Sequence, residues 1–218
     1  MNGSNSKDLG SQRREYGKSS LDESRLPAEP LVLFTRWLEE ALASDHADPT
    51  AMALSTVDEQ GQPSSRIVLL KKVEEGRLLF FTNYQSRKSM AIGTGGPVAA
   101  LFFWPSLERQ VKISGRAQPL EADLSDHYFG SRPYESKIAA WASSQSEEIP
   151  HREYLEKEFD HYRRIYPDPD AVPRPPHWGG YAISPLSMEF WQGGAKRLHD
   201  RIEYRKLSEG WIRQRLAP

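Results

Sequence analysis

Apolar residues along the chain follow two rhythms, and their order predicts the class of fold. Over residues 31–43, Leu31, Phe34, Leu38, Ala41 and Leu42 recur at helical spacing behind Pro30, which suits a first turn, so an amphipathic helix is expected. Short β-rich runs follow at 51–57, 66–72, 77–82, 98–104 and 109–117. Asp58-Glu59-Gln60-Gly61 and Glu74-Glu75-Gly76 read as hairpin loops between the early runs. Helical stretches are expected at 86–94, at 121–143 with a break near Arg132-Pro133, and at 150–165. Five prolines within 167–176 imply an extended connection, after which strand patterns return at 178–184, 188–192, 198–205 and 211–216. Short strands joined by turns at this spacing favour a barrel or sandwich over a βαβ sheet. The expectation is a mainly β fold, a β-barrel with peripheral α-helices, without internal repeats.

Residues 1–24 are rich in Ser, Gly, Asn and charge and poor in apolar side chains, which predicts a flexible N-terminal segment ahead of one domain over 25–218. A chain of 218 residues is long enough to bury a real core. With 29 basic and 30 acidic residues, no global field recruits nucleic acid or anionic lipid, although local basic clusters can still hold a phosphate. No stretch approaches the ~20 apolar residues of a membrane span, and the start lacks the apolar centre of a secretory signal, so a cytoplasmic protein is expected. The absence of cysteine excludes disulfides, a thiolate nucleophile and Cys-ligated metals. The six histidines show no tight ligand spacing, and no metal site is expected.

Candidate chemistry sits in several basic and aromatic clusters, each with a plainer alternative. Gly93-Thr94-Gly95-Gly96 and Gly193-Gly194-Ala195-Lys196 match no nucleotide-loop pattern and read as turns. Ser86-Arg87-Lys88 could cap a helix and gather an anion at its start, or could serve solubility alone. Arg66-Ile67-Val68-Leu69-Leu70-Lys71 reads as a strand buried on both faces with a cation at each end. The odd separation of Arg66 and Lys71 places them on opposite faces unless a bulge intervenes. Tyr128, Arg132 and Ser136 share the i, i+4, i+8 face of a continuous helix, a good phosphate pocket or a surface pair, with Pro133 interrupting it. Arg13-Arg14-Glu15-Tyr16 suits either a solvated tail or a lid over an anionic ligand. Densest is Glu189-Phe190-Trp191-Gln192 followed by Arg197-Leu198-His199-Asp200-Arg201. In a regular strand Arg197, His199 and Arg201 share one face, and beside Trp191 they would suit a flat anionic molecule.

These motifs, together with Asp48-Pro49-Thr50-Ala51-Met52, Thr82-Asn83, Leu107-Glu108-Arg109-Gln110-Val111 and Ser131-Arg132-Pro133, closely resemble the pyridoxine (pyridoxamine) 5'-phosphate oxidase family from Arg13 to Pro218. The resemblance implies an FMN-binding split β-barrel homodimer with FMN in clefts between the subunits. It assigns FMN contacts to Arg66, Ile67, Val68, Leu69, Leu70, Lys71, Phe81, Thr82, Arg87, Lys88, Gln110, Gln145, Ser146, Trp191 and Arg201. It gives the substrate phosphate to Lys71, Tyr128, Arg132 and Ser136, and the pyridine ring and its oxidised carbon to Arg197 and His199, with Leu198 beside them. Arg13, Arg14, Glu15 and Tyr16 would close over the occupied site. Phe81 stands where some relatives have Tyr, which a backbone contact tolerates and a hydroxyl contact does not. The implied reaction takes pyridoxine or pyridoxamine 5'-phosphate and O2 to pyridoxal 5'-phosphate and hydrogen peroxide, with ammonia from the amine. Another split-barrel FMN enzyme and a protein that only binds flavin or pyridoxal phosphate are the alternatives.

Overall fold

In the computed structural model, residues 11 and 15–218 are described. After a 3-10 turn at Glu23–Arg25, helix α1 (Pro30–Leu42) starts with proline at its first turn and no side-chain cap. Its buried face is Leu33, Phe34, Trp37 and Ala41, while Leu42 is exposed, so the stripe is rotated from the expected one and centres on Trp37. Strands β1 (Ala51–Val57), β2 (Pro63–Leu69), β3 (Lys72–Glu74) and β4 (Arg77–Asn83) form two hairpins. Helix α2 (Arg87–Ile92), β5 (Pro97–Trp104) and β6 (Arg109–Pro119) follow. Then come α3 (Ala122–Gly130), α4 (Tyr134–Ala142), α5 (Arg152–Ile165), β7 (Trp178–Gln192), β8 (Asp200–Leu207) and β9 (Gly210–Arg215).

The strands make one antiparallel sheet in the order β2-β1-β5-β6-β7-β4-β3, with β8 on β7 and β9 on β8. It curls into a half-barrel, the expected mainly β fold. Strand β7 organises it. Residues 178–183 pair with β4 and residues 187–192 with β8, while β6 runs along the other edge. The two strands expected at 178–184 and 188–192 are therefore one. Pro185, in the gap between the two expected runs, lies at a bulge where the register with β6 shifts between Ser114 and Gly115, and Leu186 is 52 % exposed there. Gly115 is required at this bulge, since a Cβ would lie 2.3 Å from the Ser184 carbonyl oxygen.

Helix α1 closes the core, with Phe34 5.0 Å from Phe102 and Trp37 edge-on to Phe190 at 5.3 Å. A second, smaller core joins Phe129, Ile138, Val172 and Trp178 beneath α3 and α4. Strand β2 corrects another expectation. It begins at Pro63 and lies at the sheet edge, with Ile67 65 % exposed and Leu69 38 % exposed, so it is not buried on both faces within one chain. Among the described residues, no helix is long and apolar enough to cross a membrane, and no group of three or more His, Asp or Glu could hold a metal.

Candidate active site

The end of β2, β4, the start of α2 and the α3–α4 corner enclose a cavity of about 970 Å³. Arg66, Lys71, Arg87, Lys88 and Arg132 line it, and among the described residues no carboxylate does. Arg66 and Lys71 reach the same cavity because β2 ends at Leu69 and β3 begins only at Lys72, which cancels the expected alternation. Ile67, Val68, Leu69, Phe81, Thr82, Tyr128, Ser136, Gln145 and Ser146 also line it. Leu70 does not: its side chain is 4 % exposed in the main core. Sequence reasoning missed Ser64, Asn83, Ser143 and Trp178. Trp178 carried only a strand signal, because the chain spacing does not show that it lies parallel to Tyr128 across the wall.

Burial shapes the cations. The Lys88 ammonium hydrogen-bonds neutral oxygens of Thr82 (3.0 Å), Ser86 (3.0 Å) and Gln145 (2.7 Å). Desolvation, then the neighbouring Arg66, brings its pKa down to about 8. Burial likewise lowers Arg66, whose guanidinium donates to the Leu54 carbonyl and the Thr56 hydroxyl. Ser86 occupies the N-cap position of α2 but does not cap it. Its hydroxyl donates to the Asn83 carbonyl at 2.7 Å, and the Arg87 N–H is taken by Ser146 Oγ at 3.3 Å. With only six residues, α2 contributes little dipole, and side chains supply the positive field.

The break expected near Arg132-Pro133 falls between α3 and α4, and it still leaves Tyr128, Arg132 and Ser136 on the cavity wall. Tyr128 stacks on Phe81 at 3.8 Å, and Trp178 lies parallel to both. The Arg132 guanidinium sits 4.5 Å above the Trp178 ring, and among the described residues its buried Nη1 has no hydrogen-bond partner. A buried cationic donor left open in a cavity without acids suits an oxyanion.

The remaining site residues gather elsewhere. Gln110 and Arg201 flank Trp191 in the β6–β7–β8 ladder. Trp191 and His199 lie 4.8 Å apart, and Tyr16 stands edge-on to both. The expected single face of Arg197, His199 and Arg201 is corrected here, because β8 starts only at Asp200. Arg197 ends a 3-10 turn (Ala195–Arg197) in which Lys196 and Arg197 are left-handed, and Leu198 is 71 % exposed. His199 Nδ1 accepts the Gly194 N–H at 3.1 Å, so the neutral ring carries its proton on Nε2. Arg201 Nε donates to Glu189 at 2.8 Å, and Lys112 reaches the other oxygen of that carboxylate at 2.5 Å. Burial opposes the Glu189 charge, yet these two cations hold its pKa below the usual carboxylate value. Glu15 is exposed, while Arg13 and Arg14 lie outside the described residues.

A family profile described as pyridoxamine 5'-phosphate oxidase matches residues 38–166, and a second, described as the pyridoxine 5'-phosphate oxidase C-terminal dimerisation region, matches 178–218. The chain is 48 % identical over 211 residues to a pyridoxine/pyridoxamine 5'-phosphate oxidase of Neisseria meningitidis, covering 97 % of this chain and 100 % of that one. The chain belongs to the pyridoxine/pyridoxamine 5'-phosphate oxidase family, and it is an enzyme. The relative from Chromobacterium violaceum is 50 % identical over 207 residues, 94 % of this chain and 96 % of its own length. Among solved structures, PhzG from Burkholderia lata, in complex with tetrahydrophenazine-1-carboxylic acid, superposes with a TM-score of 0.87 at 32 % identity, covering 93 % of this chain and 99 % of that one. A pyridoxamine 5'-phosphate oxidase-related, FMN binding protein from Nostoc punctiforme, at 16 % identity and a TM-score of 0.67, covers 91 % of this chain and 99 % of its own and shares the fold. In this oxidase family the dimerisation region corresponds to β7, β8 and β9, the part that carries Trp191, Arg197, His199 and Arg201.

Proposed function

We propose that the chain oxidises pyridoxine 5'-phosphate or pyridoxamine 5'-phosphate with O2 to pyridoxal 5'-phosphate, using FMN and releasing hydrogen peroxide, and ammonia from the amine. The observation that carries this reading is the cavity with five cations, no acid and a wall of parallel aromatic rings. Both FMN and the substrate are flat and end in a phosphate, so two anionic groups need holding. Arg66, Arg87 and Lys88 fit the cofactor's phosphate, and Lys71, Tyr128, Arg132 and Ser136 fit the substrate's. For Lys88 a direct contact requires exchange of one neutral partner, and Gln145, on an exposed loop, is the natural one to yield. When bound, FMN supplies the two-electron acceptor that O2 regenerates.

The protein's own part is orientation, charge and exclusion of water. Arg197 and His199 would position the substrate ring and the carbon that loses hydrogen, with His199 Nε2–H free to donate because Nδ1 is engaged. These residues lie toward the end of β7 opposite to Trp178 of the cavity wall. Trp178 and Trp191 mark opposite ends of β7, on the order of 40 Å apart along the strand at ~3.3 Å per residue. A homodimer resolves this, with the C-terminal cluster of one subunit completing the cavity of the other; the exposed Ile67 and Leu69 at the edge strand give such a partner an apolar surface.

The test is aerobic incubation of the FMN-loaded protein with pyridoxine 5'-phosphate, following aldehyde and peroxide together, beside unphosphorylated pyridoxine. Equimolar aldehyde and peroxide from the phosphorylated substrate are expected, with far less from the other. A preparation that cannot be reconstituted with FMN, or that yields neither product, defeats the reading.

A further inference from the structure

Glu108 has a buried carboxylate that the proposed chemistry does not use. It is 3 % exposed and follows the 3-10 turn Pro105–Leu107 with a left-handed backbone (φ 55), a conformation disfavoured for a residue with a Cβ. Its Oε2 accepts the N–H of Gly17 at 2.8 Å and of Lys18 at 3.0 Å. Its carbonyl accepts the N–H of Gly193 at 2.8 Å and the Gln192 side chain at 3.2 Å. Lys18 Nζ adds a bond to the Ser106 carbonyl at 2.7 Å. One residue thus joins the segment that carries Tyr16 to the glycine turn that leads to Arg197 and His199. Tyr16 packs against that turn so closely that a Cβ at Gly193 would lie 2.9 Å from it.

We propose that Glu108 is a positioning residue, a latch that holds residues 16–18 over the Trp191–His199 pair and sets how readily substrate enters and product leaves. Two charge-assisted hydrogen bonds from neighbouring backbone amides fix the course of the segment there, and the ring of Tyr16 follows. The docking is independent of the oxidase reading; its effect on substrate access rests on that reading.

Limited trypsin digestion of the full-length protein, scored by cleavage after Lys18, reads the docking. Glu108→Ala is expected to speed this cleavage about tenfold, in line with loss of hydrogen bonds to a charged acceptor. Glu108→Gln keeps one accepting oxygen and should fall between. Gly17→Pro deletes a donor from the segment without touching the buried residue. Gly17→Ala keeps the N–H, and its Cβ meets no atom within 4 Å, so it should cleave as the parent does. In steady-state assays, KM for pyridoxine 5'-phosphate should rise several-fold in Glu108→Ala and Gly17→Pro while kcat holds. Equal cleavage in Gly17→Pro and Gly17→Ala overturns the latch, even should Glu108→Ala not fold. Faster cleavage with unchanged KM overturns its role in access. Failure of the oxidase reading is distinguishable, since it removes activity from the parent while the cleavage contrast persists.

Discussion

Arg132 is half-buried and stacked over Trp178, with a buried Nη1 that has no hydrogen-bond partner among the described residues, and burial also lowers its pKa, so an anion bound there would offset the remaining desolvation. Replacing it with alanine should raise KM for the phosphorylated substrate about 100-fold, the equivalent of two hydrogen bonds at ~1.5 kcal/mol each. FMN affinity should stay within a few-fold, a contrast that flavin fluorescence titration checks. Lys88 makes the opposite kind of prediction, in pH. Its pKa of about 8 lies below the 10.5 of an unfolded lysine, so the folded apoprotein binds fewer protons than the unfolded chain and its stability should rise between those values. A phosphate beside the amine restores the charge, so FMN affinity should fall above pH 8, approaching tenfold per unit. Lys88→Met should flatten that slope; an unchanged slope would assign the proton to another group. The cationic residues themselves were legible in the sequence because charge beside glycine, aromatic and helix-start residues stands out. Trp178, Glu108 and Glu189 were not, since what distinguishes them is a partner about 50 to 90 positions away for two of them and, for the third, burial of its carboxylate beneath two part-exposed cations.

At the scale of elements, the alternation in β1 and the helical spacing of α1 were readable because each buries one face. The unity of β7 was not. Proline inside a run argues for a break until the bulge opposite it is known. Strand β2 misled in another way: an apolar run reads as doubly buried whether the second cover is the same chain or a copy of it. Ile67→Asp therefore tests the element. The variant should fold, with a far-UV spectrum like the parent's, but sediment as a monomer and hold FMN weakly. A stable dimer with normal flavin content would place the interface elsewhere.

For the whole molecule, the division of the site between the two ends of β7 predicts complementation. Arg132→Ala and Arg197→Met each place one defect in both sites of a homodimer. If the two residues of a site come from different subunits, a hybrid has one site with both defects and one with none. Unfolding and refolding an equimolar mixture gives hybrids as half of the dimers, so activity should recover to about a quarter of the parent's. Recovery no greater than the sum of the separate variants would place both residues in one subunit's site.

The open edge of β2 also bears on the life of the protein before it works. A newly made chain carries an edge strand, paired with β1 on one side only among the described strands, with exposed Ile67 and Leu69, a surface on which another extended polypeptide can add. With that edge in the interface of the proposed homodimer, its fate would turn on a race, second order in its own concentration, between finding its twin and being captured or degraded. Slow synthesis should therefore yield disproportionately little active material, and soluble recovery should climb more steeply than expression as the chain becomes abundant.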